Sequence, residues 1–373
     1  MSAALALALA VLAPSQHDAA EHRFGFAAVP TATFNTDEGF GTGGVATLYH
    51  HHGEVLPYRD ALTFNLFISS KLVQAHAITW DALKPFDVDG RLLLRLGYYS
   101  TVSQNYCGVG NEVDCAPEEA TAAARDRGLV DGTAAFDDFT RRYWLMRFVR
   151  PHATVLLRPW LRDKPWRVEL LFGWRGALTL PGELGQWTPY PGSRYALEHP
   201  DGEPGFSSAP IFGVIVDDRD AESFPTRGVF AEASVRAAHP WLGSTWTWAG
   251  VNASASYFAA FSRAPRLVLA ARVLGDAMVG EPSTEELARI GGTSEWIAFG
   301  GHVLGRGIRE HRYLGKLKGV AQAELRAQLC QHELWGERFD HGAALFSDVG
   351  FIGYDLFDLR GQPAKLLAGV GAS

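Results

Sequence analysis

The sequence has no excess of basic residues. Lys and Arg number 34 against 41 Asp and Glu in a chain of 373 residues, so the formal net charge is −7. A protein that neutralises nucleic-acid phosphates normally carries a basic surface. We therefore expect no nucleic acid among the partners.

Long hydrophobic runs are also scarce. After the first 13 residues, no apolar run reaches the roughly 18 residues that a transmembrane helix needs, which excludes a helical membrane protein. The hydrophobic fraction of 47% leaves a membrane β-barrel open, because barrel strands alternate apolar and polar residues and so have an average composition.

Recognisable catalytic motifs are lacking as well. We find no nucleophile elbow, zinc motif, P-loop or dinucleotide fingerprint. The run His50-His51-His52 comes nearest to a metal cluster, but successive strand residues point to opposite faces, so at most two could share an ion. We predict no enzyme activity, no cofactor and no metal. The enzymatic alternative is an outer-membrane hydrolase with Ser and His in the barrel wall, and no spacing singles out such a set.

The N-terminus has the features of an export signal. Residues 1–13 are almost entirely apolar, and a small-x-small site that ends at Ser15 follows them. No Lys or Arg precedes the apolar stretch, which departs from the usual pattern. We predict that residues 1–15 are a signal peptide.

Cysteine is rare, with three residues in the chain. Export would place them in an oxidising compartment, where disulfides persist. Cys107 and Cys115 flank a short loop, and we predict a disulfide between them, worth roughly 2–3 kcal/mol by the loop-entropy model. The alternative is two unpaired loop thiols. Cys330 has no evident partner.

The most informative pattern in the chain is alternation with period two. In residues 317–329 the odd positions are Leu, Gly and Ala, and most even positions are charged or amide residues. Residues 167–175, 229–237 and 62–69 alternate similarly, over about the length that a tilted membrane strand needs. Seven tryptophans near proposed strand ends would suit a membrane-interface girdle, or they are ordinary core residues.

The connections between these strands alternate in length. Short turns lie at residues 87–90, 162–165 and 263–265, whereas long connections span 105–136, 181–208 and 280–315. Barrels have short periplasmic turns and longer outer loops. We therefore predict an all-β fold, one transmembrane antiparallel β-barrel of about fourteen strands over residues 23–373, with a short helix at 118–127 that ends at Gly128. A soluble β-sandwich would alternate too, but with a bulkier apolar face.

Three segments occur in a recognisable order. Residues 34–44 have the pattern of a strand, a turn and the Gly-rich start of a second strand. In residues 217–228, Asp218 and Asp220 follow one strand, Pro225 pre-sets a turn, and Gly228 permits the next strand to begin. Residues 300–308 end in Gly305, Arg306, Gly307 and Ile308. Together they resemble the bacterial surface antigen barrel, the membrane part of the BamA/TamA superfamily.

The resemblance implies a function and a site. The family places the Arg of the third segment at the tip of a loop that folds back into the barrel, paired with acidic residues of the next strands. The matching positions here are Arg306, Glu324 and Asp348, and alternation independently turns Glu324 inward. This sequence departs from the family pattern at two positions of the loop tip: Gly305 precedes the Arg, and Ile308 replaces an aromatic residue. We therefore expect a weaker apolar contact at the tip than the family makes with its aromatic residue.

The implied role is outer-membrane protein assembly, insertion or secretion. The implied partners are outer-membrane lipids, unfolded client proteins and a periplasmic accessory protein. A passive pore or structural barrel is the alternative.

The resemblance also defines what the sequence does not contain. The family's periplasmic POTRA domains precede the barrel, but only the signal precedes Phe24. Residues 366–371 resemble the third-from-last strand of a sixteen-stranded barrel, so two C-terminal strands are expected to be missing. We interpret this as a truncated reading frame, or as a barrel that another chain closes, because an open edge exposes unpaired backbone groups to lipid.

Overall fold

The computed structural model describes residues 23–35, 39–53, 55, 57–110, 115–183, 185–222, 224–262, 266–293, 300–301, 303–308, 310–334, 337–354 and 367–372. The predicted signal at residues 1–15, the predicted short turn at residues 263–265, His302 of the third segment, and Leu366 at the start of the segment 366–371 lie outside these ranges.

One antiparallel sheet of fourteen strands, ordered β1 to β14 along the chain, forms the fold. The prediction of about fourteen antiparallel strands is confirmed. The strands are β1 Arg23–Asn35, β2 Gly39–His51, β3 Asp60–Ser69, β4 Gln74–Leu83, β5 Gly90–Asn105, β6 Leu145–Arg162, β7 Arg167–Pro181, β8 Gly205–Asp217, β9 Arg227–Ala238, β10 Thr247–Ala260, β11 Arg266–Glu281, β12 Leu317–Leu334, β13 Glu337–Gly353 and β14 Leu367–Ala372.

The described parts of the connections contain four short α-helices: α1 Pro117–Asp126, α2 Ala134–Arg142, α3 Arg194–Glu198 and α4 Thr284–Leu287. Helix α1 confirms the helix predicted at 118–127, and Gly128 follows its end with a φ of +76°. Within the described ranges, no helix has the length and apolar character to cross a membrane.

The period-two pattern gives the sheet two different faces. In β10, exposed and buried residues alternate from Thr247 to Ser254. The outer face carries exposed apolar side chains such as Leu66, Phe172 and Val251, whereas Glu169 and Asn252 are buried on the inner face. Exposed apolar side chains outside and buried polar ones inside are what lipid outside and a polar lumen inside would select.

The long connections share one end of the sheet. Because every strand reverses direction, the connections after β5, β7 and β11 all lie at the same end. We call residues 106–144, 182–204 and 282–316 loops A, B and C. The other end carries the shorter turns, among them residues 163–166 between β6 and β7.

Trp248 does not belong to a membrane-interface girdle. It is only 3% exposed and packs on the inner face with Ala209, Ala238 and Met278. Trp241, in contrast, is 93% exposed at the end of the sheet that carries the long loops. Trp248 occupies an inward position of β10, whereas Trp241 lies in the turn after β9.

Candidate functional site in the barrel lumen

Loop C turns inward instead of standing out from the barrel. Ile290, Leu304 and Tyr313 of the loop are buried in one apolar cluster with inner-wall residues. The wall partners are Leu274, Val320 and Ile352, from β11, β12 and β13. Burial of such side chains stabilises a contact by about 1.5–3 kcal/mol each, so apolar packing contributes to holding the loop against the wall.

Arg306 lies at the tip of loop C and contacts two carboxylates of the wall. Its Nε and Nη2 donate to Asp348 Oδ2 and Oδ1 at 2.8 and 2.7 Å, and its backbone N–H donates to Asp348 Oδ2 at 2.8 Å. Its Nη1 donates to Glu324. The pair with Asp348 is a bidentate fork, the strongest geometry for arginine and carboxylate.

Neighbouring side chains complete the hydrogen bonding of both carboxylates. The Gln322 amide donates to Asp348 Oδ2 at 3.2 Å and to the Val303 carbonyl at 2.8 Å. Arg326 donates to Glu324 Oε2 at 2.7 Å. Asp348 is fully buried, whereas the Arg306 and Glu324 side chains are 15% and 18% exposed. The cluster is therefore shielded from water on the Asp348 side.

Two glycines shape the tip. Gly305 and Gly307 have φ of +66° and +88°, in the left-handed region that other residues rarely adopt. The turn between them is closed by the Ile308 N–H, which donates to the Gly305 carbonyl at 3.1 Å. Ile308 then packs against the apolar cluster of the loop. The tip thus places the guanidinium and the apolar side chain on the wall together.

A second ionic cluster, which sequence reasoning did not single out, lies nearer the long-loop end. Asp276 of β11 accepts from Arg236 Nη2 at 3.0 Å and from Lys318 Nζ at 3.3 Å. The backbone N–H of Gly291 in loop C donates to the same carboxylate at 2.8 Å. Asp276 of β11 and Lys318 of β12 lie opposite each other in the paired strands, so strand pairing alone brings these two residues of the cluster together.

Helix α4 supplies a third set of contacts inside the lumen. Arg150 of β6 donates to Glu285 at 3.2 Å and to Glu286 at 2.6 Å, and Gln104 of β5 donates to Glu285 at 2.6 Å. Farther along the loop, Thr293 donates to Glu232 of β9 at 2.5 Å. Loop C therefore bonds to strands on several sides of the lumen.

The turn motif lies at the opposite end and orders the connection from β8 to β9. Asp220 accepts from the N–H groups of Thr226 and Arg227 at 2.8 and 3.1 Å and from the Thr226 hydroxyl at 2.5 Å. Burial alone would raise the pKa of Asp220, but these hydrogen bonds outweigh it and lower the pKa below its usual value.

The remaining motif residues act through the backbone. The Asp218 N–H donates to the Val229 carbonyl at 2.8 Å. Gly228 has a φ of +105°, and a Cβ there would lie 2.1 Å from the Asp218 carbonyl oxygen. Pro225 is buried within the turn. Glycine is consequently the one residue that fits where β9 begins.

The loops at the opposite end also join each other. A disulfide links Cys107 and Cys115 with a Cα–Cα distance of 5.1 Å, and Cys330 is an exposed free thiol. The Gly110 N–H in the disulfide loop donates to the Leu314 carbonyl of loop C at 2.8 Å. From loop B, Glu203 accepts from the Thr284 N–H at 3.1 Å. Loops A and B thus both hold the ends of loop C.

The contacts described above fasten loop C inside the barrel. The described residues include no group of three or more His, Cys, Asp or Glu side chains placed to hold a metal ion. Arg150, Glu324 and Asp348 of the wall form ion pairs with side chains of loop C.

The fold and part of the sequence match known proteins. Residues 189–372 match the Omp85 superfamily domain. The chain is similar to the crystal structure of BamA from Haemophilus ducreyi lacking POTRA domains 1–3, with a TM-score of 0.50 and 14% sequence identity. The similarity covers 94% of this chain and 64% of that one, so the chain spans less than two thirds of that structure. No curated protein matches in sequence. At this identity the structural likeness shows the fold, a BamA-like antiparallel barrel.

Proposed function

We propose that this chain, which carries an Omp85 superfamily domain over residues 189–372, acts in a bacterial outer membrane in the assembly, insertion or secretion of other proteins. The observation that carries the proposal is loop C, whose Arg306 forms a bidentate pair with Asp348 inside the barrel. The motif that implied this family thus has its residues in contact, although they come from a loop and two strands.

The membrane location is supported by the distribution of apolar side chains. Large apolar residues such as Leu96, Phe212 and Val273 are 52–65% exposed on the outward face. In water, apolar area costs about 25 cal/mol per Å², so a face of this kind needs lipid to cover it. Outer-membrane lipids are therefore the first proposed partners.

The filled lumen disfavours the alternative of a passive pore. Loop C bonds to β6, β9, β11 and β13 across the lumen, and Leu304 and Asp348 within it are fully buried. A diffusion pore keeps an aqueous channel. Unfolded client proteins and a periplasmic accessory protein are the other proposed partners, by analogy with the family.

The proposal is tested by reconstituting the folded chain into lipid vesicles and adding an unfolded outer-membrane barrel as client. The rate at which the client acquires heat-sensitive gel mobility measures insertion. We expect the wild-type chain to accelerate this step and Arg306→Ala to lose most of the acceleration. Arg162→Ala, at an exposed position in β6, is the matched control.

Two results would contradict the proposal. A folded wild-type chain that leaves client insertion at the rate of empty vesicles removes the insertion role. A steady, ungated conductance of wild-type protein in a planar bilayer favours the passive pore instead.

A further inference from the structure

Strands β12 and β13 extend beyond their neighbours at the end of the sheet that carries the shorter turns. In the described part of the chain, the pairing of β12 with β11 ends at Gln328, and that of β13 with β14 ends at Leu345. Within the same ranges, residues 330–334 and 337–341 pair only with each other. They form a two-stranded ribbon, an element that is marginally stable by itself.

Two histidines meet across this ribbon. His332 Nδ1 and His341 Nε2 are 2.7 Å apart, and the two ring planes are inclined by 15°. One ring therefore donates its N–H to the lone pair of the other. Both side chains are exposed. The two residues are nine positions apart in the chain, which is not the spacing of a metal motif, so only the strand register shows the pair.

The register places both histidines on the face of the ribbon that carries Cys330. Cys330 lies opposite His341, and His332 follows Cys330 by two residues, so the three side chains point to the same side. His341 is thus the diagonal neighbour of His332, at a separation that long side chains can bridge. The Cys330 thiol is free and exposed, but among the described residues it completes no three-ligand group. The two imidazoles are therefore the ligands to consider.

The distance between the two nitrogens is close to that of a chelated metal ion. Metal–imidazole bonds of about 2.0–2.1 Å at a tetrahedral ion hold two nitrogens about 3.3–3.4 Å apart. Exposed side chains can open to that distance by small changes of their torsion angles. We propose that His332 and His341 bind a divalent transition-metal ion in place of the proton that they share. Imidazole ligands favour Zn²⁺, Cu²⁺ and Ni²⁺, whereas Mg²⁺ and Ca²⁺ prefer oxygen.

A bound ion links the two strands of the ribbon beyond the last hydrogen bonds to β11 and β14. Two protein ligands leave other positions of the ion open, so water or a donor from another molecule can complete the coordination. The site requires only the barrel fold and does not depend on the proposed insertion role.

The free thiol provides a local probe for the test. A nitroxide attached to Cys330, the one free cysteine, reports a paramagnetic ion nearby by broadening of its electron paramagnetic resonance spectrum. We expect Cu²⁺ to broaden the spectrum of the folded full chain in detergent micelles saturably. His332→Ala and His341→Ala should each weaken this Cu²⁺ binding at least about tenfold, because even the loss of an outer-shell partner costs metal sites about 10–100-fold in affinity. A large excess of Mg²⁺ should not compete.

His50→Ala is the matched control, because His50 lies at the same end of the sheet beside His52, and it should leave the broadening as in wild type. Heat-sensitive gel mobility establishes folding for each variant. The proposal is overturned if Cu²⁺ leaves the wild-type spectrum unchanged, if either His332→Ala or His341→Ala binds Cu²⁺ as tightly as wild type, or if Mg²⁺ competes. Loss of the broadening in His50→Ala also overturns it, because the ion would then lie at the other histidines.

Discussion

At the scale of single residues, the contribution of Arg306 depends on how far its partners are removed from water. Solvated ion pairs contribute about 0–1 kcal/mol, but removing one member of a buried pair costs about 3–5 kcal/mol. Asp348 is fully buried and takes three hydrogen bonds from Arg306. Loss of the side chain leaves a buried carboxylate with one bond from Arg306 and one from Gln322.

We predict that Arg306→Ala lowers the free energy of unfolding of the folded barrel by about 3 kcal/mol, near the lower limit for a buried pair. Arg306→Lys should lose less, because a single ammonium keeps the charge but not the fork. Urea titrations in detergent, followed by tryptophan fluorescence, measure both. Arg326→Ala is the matched control, since Arg326 is 38% exposed and bonds to Glu324 alone. Equal losses for Arg306→Ala and Arg326→Ala would contradict the prediction.

Gly228 allows a second test at this scale. Its φ of +105° and the 2.1 Å approach to the Asp218 carbonyl leave no room for a methyl group. We predict that Gly228→Ala destabilises the barrel by about 1–3 kcal/mol, the usual cost of a residue held in disallowed backbone geometry. Gly243→Ala is the control: Gly243 also has positive φ, but a Cβ there meets nothing within 4 Å. The same urea titration compares the two variants, and similar losses would mean that the close approach does not matter.

At the scale of elements, most of the sequence prediction rested on the period-two alternation of apolar and polar residues. It gave strands such as β12 with the correct inward face, and it placed Glu324 and Lys318 on that face. It did not give the ionic cluster at Asp276, because the cluster joins Arg236 of β9, Lys318 of β12 and a loop N–H. Such contacts arise when a sheet curls and brings distant strands to one lumen.

Motif resemblance supplied what alternation could not. Nothing in the local pattern of loop C indicates that it turns inward, since its glycines would equally suit an exposed loop. Its apolar residues Ile290, Leu304 and Tyr313 are the physical cause of that path, but isolated apolar residues in a long loop are ambiguous in a sequence. The family comparison alone connected Arg306 with Asp348.

The disulfide loop leads to a prediction about how the long loops hold each other. We predict that replacing Cys107 and Cys115 by Ser increases amide hydrogen exchange in residues 106–116 and also near Leu314, to which Gly110 donates. Exchange in β7 and β8 should stay as in wild type, because those strands bond to each other and not to this loop. Mass spectrometry of peptic peptides measures all three regions.

The single variant Cys330→Ser is the control, since Cys330 is an exposed free thiol in β12. An increase confined to residues 106–116 would show that the disulfide does not act on loop C. An increase throughout the barrel would show that it supports the whole fold.

At the scale of the whole molecule, one sheet in a single sequential order should behave as one cooperative unit. We predict that the folded chain in outer-membrane extract or detergent migrates faster on an unheated SDS gel than after boiling, because a sheet in which each strand is hydrogen-bonded to its neighbours along the chain resists the detergent. A set of independent hairpins would unfold without heat. Identical mobility in both samples would therefore contradict the barrel assignment.

The sequential order of the strands also has a kinetic consequence. Each hydrogen-bonded strand pair joins neighbours along the chain, so the wall can grow one hairpin at a time, and the closures other than those across loops A, B and C span short stretches. The bonds of loop C differ, because Arg150 and Glu285 are 135 residues apart and meet only after β6 and β11 stand in one wall. We therefore expect loop C to enter the lumen only after the strands to which it bonds have paired.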